Sequence, residues 1–367
     1  MVWLHERRGW PALRWEIAHL ATPLAAVRHR QGRLLGRMEA LGFELREEAL
    51  LRTLTEDVVR SSEIEGEHLD TAQVRSSIAR RLGIEAGGLV RADRDVEGIV
   101  EMMLDATQNY TAPLTTERLQ AWHASLFPAG FSGMRRLTVG RWRTDERGPM
   151  QVVSGPMGRE RVHFEAPAAD RLHGEMKAFL NWFEAPSPAI DPVLKAGIAH
   201  LHFVTIHPFD DGNGRIARAI ADLALARAEG SAQRFYSMSS QIRRERKTYY
   251  EKLESTQRSG LDITPWLDWF LGCLQRAIEG AEELLGNVLD KARFWERHPP
   301  AGFNERQRAM LERLLEGFEG KLTSSKWAKL SKCSQDTALR DITELVERGV
   351  LVREPAGGRS TSYVLAP

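Results

Sequence analysis

At 367 residues the chain is long enough for two or three domains, and its 51 basic against 50 acidic residues leave a formal net charge of +1. Such balance offers no bulk attraction to nucleic acid or to a membrane surface. Two cysteines, Cys273 and Cys333, are too few for a disulfide framework and lack metal-ligand spacing.

No apolar run reaches the roughly 18 residues of a membrane span, and the opening Met1-Val2-Trp3-Leu4-His5-Glu6-Arg7-Arg8 is too charged for a signal peptide. A reducing cytoplasm is the expected location, with no membrane partner. Apolar positions at helical spacing run through most of the chain, so the expected fold class is mainly α.

In the N-terminal region, residues 1–93, Trp3, Trp10, Pro11, Leu13 and Trp15 precede long amphipathic helices from about Ile17 to Arg60. Asp70 is placed to cap another over Thr71 to Leu82. Between them, Ser62-Glu63-Ile64-Glu65 has the spacing of a capping box, and Gly66 suits a helix terminator. From Arg94 the run Asp95 to Leu104 opens a helical bundle assigned to residues 94–290.

Within that bundle, Met150 to Phe164 reads as a β-hairpin. Gln151-Val152-Val153 and Val162-His163-Phe164 flank the turn chemistry of Gly155-Pro156-Met157-Gly158. An isolated hairpin leaves an unpaired edge, to which a target peptide can add a strand.

Further on, His207-Pro208-Phe209-Asp210-Asp211-Gly212-Asn213-Gly214-Arg215 runs directly into the helical stretch Ile216 to Arg227. Gly212 and Gly214 let the backbone take positive φ, so amides converge as an anion nest at a helix N-terminus. Arg215 and Arg218, three apart on one face, present two guanidinium forks to the oxygens of a polyphosphate. Asp211 is a hard oxygen ligand for the accompanying Mg²⁺. His207, whose unperturbed pKa is about 6.5, is the candidate general base, a role worth roughly 10²–10⁴ in rate.

Competing chemistries fit less well. His200 and His202 lie in an apolar helix with no carboxylate to complete a ligand set, and Gly317 to Lys321 has the wrong spacing for a P-loop.

Past a boundary near His298-Pro299-Pro300-Ala301-Gly302, residues 298–367 show three helical patterns: Asn304 to Gly317, one around Ser324 to Ala328, and Ser334 to Arg348. Two strands then enclose a Gly357-Gly358 turn. This is a winged helix-turn-helix in outline. Ser334, Gln335, Thr337 and Arg340 stand where a recognition helix meets DNA, while Asp336, Asp341 and Glu344 would repel phosphates, so DNA and protein both remain candidate partners.

The segment from His207 to Arg218 resembles the signature of the Fic family, His-x-Phe-x-Asp/Glu-Gly-Asn-Gly-Arg-x-x-Arg, at every fixed position. The resemblance implies a Fic-type helical bundle and transfer of a nucleoside monophosphate, usually AMP from ATP, to a hydroxyl of a target protein. His207 would take the hydroxyl proton and Asp211 would hold Mg²⁺. Asn213 with the Gly212 and Gly214 amides would bind the phosphates, and Arg215 and Arg218 the departing pyrophosphate.

Ser61-Ser62-Glu63-Ile64-Glu65-Gly66 resembles the family's inhibitory motif, Ser/Thr-x-x-x-Glu-Gly/Asn, with Ser61, Glu65 and Gly66 in the fixed places. It would occupy a helix over about residues 48–66, and Glu65 would pair with Arg218 in place of the γ-phosphate. The hairpin corresponds to the family's target-docking flap, preceded by Gly140-Arg141-Trp142-Arg143-Thr144. Ser239 to Tyr250 resembles the segment lining the adenine and ribose side, where Tyr249 and Tyr250 would stack on a purine.

The activity expected on this resemblance is that of a self-inhibited protein adenylyltransferase. Removal of AMP at the same site, or a nucleotide-sensing DNA-binding regulator, are the alternatives, and a homodimer is a further candidate assembly.

Overall fold

The computed structural model describes residues 2–39, 43–85, 87–146, 148–156, 159, 161–315, 318, 320–354 and 361–366. The expected turns at Met157-Gly158 and Gly357-Gly358 lie outside the described residues. The chain forms two compact units, Met1–Ala281 and Glu282–Pro367.

In the first unit the N-terminal helices are α1 (Ile17–Glu39), α2 (Phe43–Ile64) and α3 (Thr71–Leu82), followed by α4 (Arg94–Gln108) and α5 (Thr116–Leu126). Two antiparallel hairpins come next, β1 (Phe131–Ser132) with β2 (Arg135–Arg136), and β3 (Gln151–Ser154) with β4 (Arg161–Glu165). Then come α6 (Leu172–Glu184), α7 (Pro192–Ile206), α8 (Asn213–Glu229), α9 (Met238–Arg244), α10 (Arg246–Arg258) and α11 (Thr264–Arg297), within which the boundary between the units falls.

The central pair is α7 against α8. Asp191 caps α7 by accepting from the Val193 N–H at 2.8 Å, Pro192 occupies its first turn, and every residue from Val193 to Ile206 is buried except Lys195. A helix apolar on all sides must be enclosed by others, and Trp266 of α11 closes it by donating from its indole to the Gly197 carbonyl at 2.8 Å. Asp70 caps α3 through the Gln73 N–H at 2.9 Å, as its position predicted.

The end of α2 differs from the capping-box reading. Ser62 lies inside the last turn, and the helix stops in a Schellman turn: Glu67 N–H donates to the Ser62 carbonyl and Gly66 N–H to that of Glu63. Gly66 takes φ +86°, open to glycine at little cost, so the terminator reading holds. Helix α2 is fixed to the bundle through Asp57, which accepts from the Ser237 hydroxyl at 2.5 Å and the Ser239 N–H at 3.2 Å.

The second unit holds α12 (Glu305–Leu315), α13 (Ser324–Leu330), α14 (Gln335–Glu347) and the hairpin β5 (Leu351–Arg353) with β6 (Tyr363–Leu365). Trp327, Leu311, Ile342, Leu345 and Leu351 fill its core. Asp341, counted from the sequence among the carboxylates that would repel phosphates, is buried and accepts from both Arg306 and Asn304. It faces inward because helical spacing puts it beside Ile342 and Leu345.

The architecture is mainly α with small hairpins, one of them C-terminal. Among the described residues no helix is long and apolar enough to cross a membrane.

Candidate active site

His207 terminates α7 in the left-handed conformation, φ 52° and ψ 58°, rare for a residue with a side chain. Its Nδ1 lies 3.2 Å from the Val204 carbonyl, which can only accept, so Nδ1 carries the proton and Nε2 keeps its lone pair. Burial pushes its pKa down to about 4, which leaves the imidazole neutral at physiological pH.

The loop after His207 is clamped from several sides. Phe209 is fully buried and stacks on His123 at 4.2 Å. The Asn213 carboxamide accepts from Phe209 N–H at 3.0 Å and donates to its carbonyl at 2.8 Å. Asn213 therefore shapes the loop with its side chain. Arg143, buried, donates from Nε to the His207 carbonyl at 2.9 Å, while its own N–H donates to the Pro208 carbonyl at 2.9 Å. Asp210 accepts from the Thr138 N–H at 2.9 Å.

Asp211 accepts from the Ser132 hydroxyl at 2.5 Å and the Gly212 N–H at 2.6 Å. Gly212, at φ +76°, is the N-cap of α8, and a Cβ there would press on the Phe127 and Leu126 side chains. No group of three or more histidines, cysteines or acidic residues suited to a metal occurs among the described residues. A magnesium ion held by Asp211 would take its other ligands from phosphate oxygens and water, the usual arrangement for this ion.

The two arginines point into different charge environments. Arg218, only 2% exposed, donates from Nε to the Ser61 hydroxyl at 2.9 Å and from Nη2 to the Ser61 carbonyl at 2.8 Å, and its Nη1 lies 2.8 Å from Glu65 Oε1. That last contact is a close ion pair whose geometry falls short of an aligned hydrogen bond. Burial disfavours the charged guanidinium, but the Glu65 carboxylate together with Tyr249 and Tyr250 more than offsets it and raises the pKa. Gly214 makes room for this pair, because a Cβ there would collide with Glu65 Oε1.

Arg215 is also buried, lies over the Phe127 ring at 5.1 Å and is ion-paired with Glu67. Burial pushes the Glu67 carboxyl above its usual range, against the downward pull of Arg215.

A cleft of about 660 Å³ opens beside this constellation, lined by His207, Gly214, Glu65, Val153, Phe164 and Tyr250 among others. Tyr250 lies 3.3 Å through its hydroxyl from Glu65 Oε2 and from the Ile64 carbonyl. Tyr249 also borders the cleft but is 1% exposed, its hydroxyl 2.9 Å from His200 Nε2, so most of its ring is core. His202, likewise buried, packs edge-on against Trp10 and Phe179.

The hairpin forms the cleft's other wall. Its register pairs Val152 with Phe164 and Val153 with Val162, with an irregularity between Val152 and Val153 that leaves His163 unpaired. Strand β4 is tied to α10: Glu254 lies 2.8 Å from Arg161 and 2.6 Å from His163, and Arg258 donates to the Val162 carbonyl at 3.0 Å. Trp3 packs edge-on against Phe164 at 5.4 Å. The edge open to an added strand is therefore that of β3, where Val153 is 47% exposed.

His207 and Gly214 of the signature, Glu65 of the Ser61 to Gly66 motif, the tyrosine pair and the hairpin thus line one cleft, while Arg215 borders another. Sequence reading passed over Glu67, Ser132 and His123, and gave Arg143 no role. Each acts through a partner distant in sequence, and Glu67 alone had a cue: a second carboxylate two residues beyond Glu65.

Comparison with known proteins agrees with this geometry. Residues 113–225 match the Fic/DOC family, and residues 3–84 match a domain of unknown function, DUF4172. A protein adenylyltransferase Fic from Nematostella vectensis is 34% identical over 114 residues, 31% of this chain and 25% of that protein. A protein adenylyltransferase fic-1 from Caenorhabditis elegans is 28% identical over 166 residues, 45% of this chain and 30% of that protein. The matched stretch thus spans about a quarter to a third of these curated relatives.

Among solved structures, a Fic family protein from Desulfovibrio desulfuricans aligns with TM-score 0.54 at 23% identity, covering 95% of this chain and 96% of that one. A Fic domain containing signaling protein from Bacteroides thetaiotaomicron aligns with TM-score 0.53 at 21% identity, over 71% and 98% of the two chains. These similarities establish the fold. Residues 113–225 of this chain are thus similar to the Fic/DOC family, behind an N-terminal segment similar to DUF4172, on a Fic-like fold.

Proposed function

We propose that this chain is a self-inhibited protein adenylyltransferase, moving AMP from ATP to a serine, threonine or tyrosine hydroxyl of a target protein and releasing pyrophosphate. The observation that carries it is the ion pair of Glu65 with buried Arg218, one turn from the glycine-flanked helix start and beside His207. A buried guanidinium at a helix N-terminus favours a phosphate, and a carboxylate from the turn that ends α2 now occupies it.

Chemically, the neutral His207 Nε2 accepts the proton as the target oxygen attacks the α-phosphorus. A new P–O bond forms to the target, and the bond to the leaving pyrophosphate breaks. Asp211 would hold the magnesium ion, whose contribution is neutralisation of phosphate charge. Arg143 and Asn213 hold the loop so that His207 keeps its left-handed backbone and fixed tautomer. Strand β3 would align a target segment by strand addition, in reach of the His207 wall of the cleft.

Cytoplasmic location, a modifiable protein partner and ATP with magnesium belong to the same proposal. Removal of AMP is a second reading, favoured by one observation: Glu65 lines the same cleft as His207, where its carboxylate could orient a water.

The test is incubation with α-labelled ATP and magnesium, comparing the wild-type chain with Glu65→Gly and His207→Ala. Label incorporation rising in the first variant and vanishing in the second supports adenylyl transfer. Loss of label from a previously modified target, abolished by Glu65→Gly, would instead support removal.

A further inference from the structure

We propose that Glu67 is a second inhibitory carboxylate, closing Arg215 to phosphate oxygens as Glu65 closes Arg218. The turn Glu65-Gly66-Glu67 then locks both signature guanidiniums, and both must be released before a nucleotide polyphosphate can bind fully. The inference rests on the nucleotide-binding reading of the site and extends its regulation.

Three observations carry it. First, the Schellman turn places Glu65 just past the last helical residue, Ile64, and Glu67 two residues on, across a left-handed glycine, so the two carboxylates leave the backbone in different directions. Second, Arg215 is 3% exposed, Glu67 is its one ion-pair partner among the described residues, and its Nε has no hydrogen-bond acceptor. A buried guanidinium with unused donors and one carboxylate is short of the oxygens it can hold, which a phosphate would supply.

Third, the two carboxylates face different spaces. Glu65 borders the cleft with His207 and Gly214, whereas Glu67 and Arg215 border a separate cavity of about 460 Å³ with Phe127, Ser132 and His68. Removing Glu65 therefore leaves Arg215 occupied. The two locks share one hinge at Gly66, yet each acts on its own arginine.

The experiment measures dissociation constants for ATP, ADP and AMP, each with magnesium, by calorimetric titration. The proteins are the wild-type chain, Glu65→Gly, Glu67→Gln and the double variant. Glu67→Gln is nearly isosteric and removes only the charge.

It is expected to tighten ATP and ADP about fivefold, the scale of one half-buried ion pair, while AMP shifts less than about twofold. The double variant is expected to bind ATP more tightly than Glu65→Gly by a similar factor. Glu67→Ala, which removes the carboxylate differently, gives the same ranking, so the outcome does not hang on one side chain's folding.

Equal ATP constants in Glu65→Gly and the double variant would overturn the proposal. So would equal tightening of AMP and ATP, which marks a loosened turn and not a freed arginine. Because the readout is binding, polyphosphate selectivity without label transfer would sink the transferase reading and leave the Glu67 lock standing.

Discussion

Helices α8 and α14 each begin after a short turn from a preceding helix, α7 and α13, and only one of these two starts looks like an anion site. At α8 the N-cap is Gly212 with no capping side chain, and two buried arginines stand within the first turns. At α14 the Ser334 hydroxyl accepts from the Thr337 N–H at 3.2 Å, satisfying the helix start from within. The exposed face that follows carries Asp336, Leu339, Thr343 and Glu347 around Arg340.

Helix polarity is common to both. What separates them is guanidinium burial and a loop held rigid by neighbours, and those are tertiary properties.

The largest effect expected on this contrast is at the base. His207→Ala should lower label transfer by roughly 10²–10⁴ and leave the thermal melting temperature nearly unchanged, since the loop is held by Arg143, Asn213 and Phe209. A modest loss would remove His207 from the role of base.

Next comes Glu65→Gly, expected to raise transfer about tenfold, some 1.4 kcal/mol in barrier. It should also lower stability, because buried Arg218 loses its carboxylate partner and keeps neutral ones such as Ser61. The cost is set at about 2 kcal/mol, below the roughly 3–5 kcal/mol of a fully buried pair, because the Glu65 side chain is 28% exposed. Differential scanning calorimetry reads the drop, and ATP should reverse part of it. A variant as stable as wild type and no more active would break the account.

The pH profile gives a third handle. The active imidazole is the neutral form, and burial holds its pKa near 4, so that form persists as pH falls until about 4 is reached. The acid limb of kcat/KM for the Glu65→Gly enzyme should therefore lie near 4. A limb at about 6.5 would mean that the base is solvated in the working enzyme.

The smallest expected effect concerns α14. With acidic residues on its exposed face, binding of duplex DNA should be weak and nearly flat between about 50 and 200 mM salt. A fall of several decades there would reassign that face to phosphate contact.

Much of this was legible in the sequence because the informative residues are contiguous. His207 to Arg218 spans one loop and the start of one helix, so local conformation alone brings base, carboxylate, glycines and arginines together. The helices, the hairpin and the cap at Asp70 were readable for the same reason.

Longer-range contacts were not. Ser132 reaches Asp211 over 79 positions and Glu67 reaches Arg215 over 148. No periodicity encodes either. Asp341 was counted among the carboxylates that would repel phosphates, because helix membership alone does not tell that Arg306 and Asn304 hold it on the inner side. The tyrosine pair was read as one unit, yet one helical step turns Tyr249 toward His200 and Tyr250 toward Glu65.

The central claim, that a nucleotide phosphate site is held closed by its own chain and transfers AMP when opened, is tested most directly by comparing α-labelled with γ-labelled ATP on the Glu65→Gly variant. The account predicts protein-bound label from the α position alone, well above wild type, with pyrophosphate released in equal amount. Label retained from the γ position, or none from either, would contradict it.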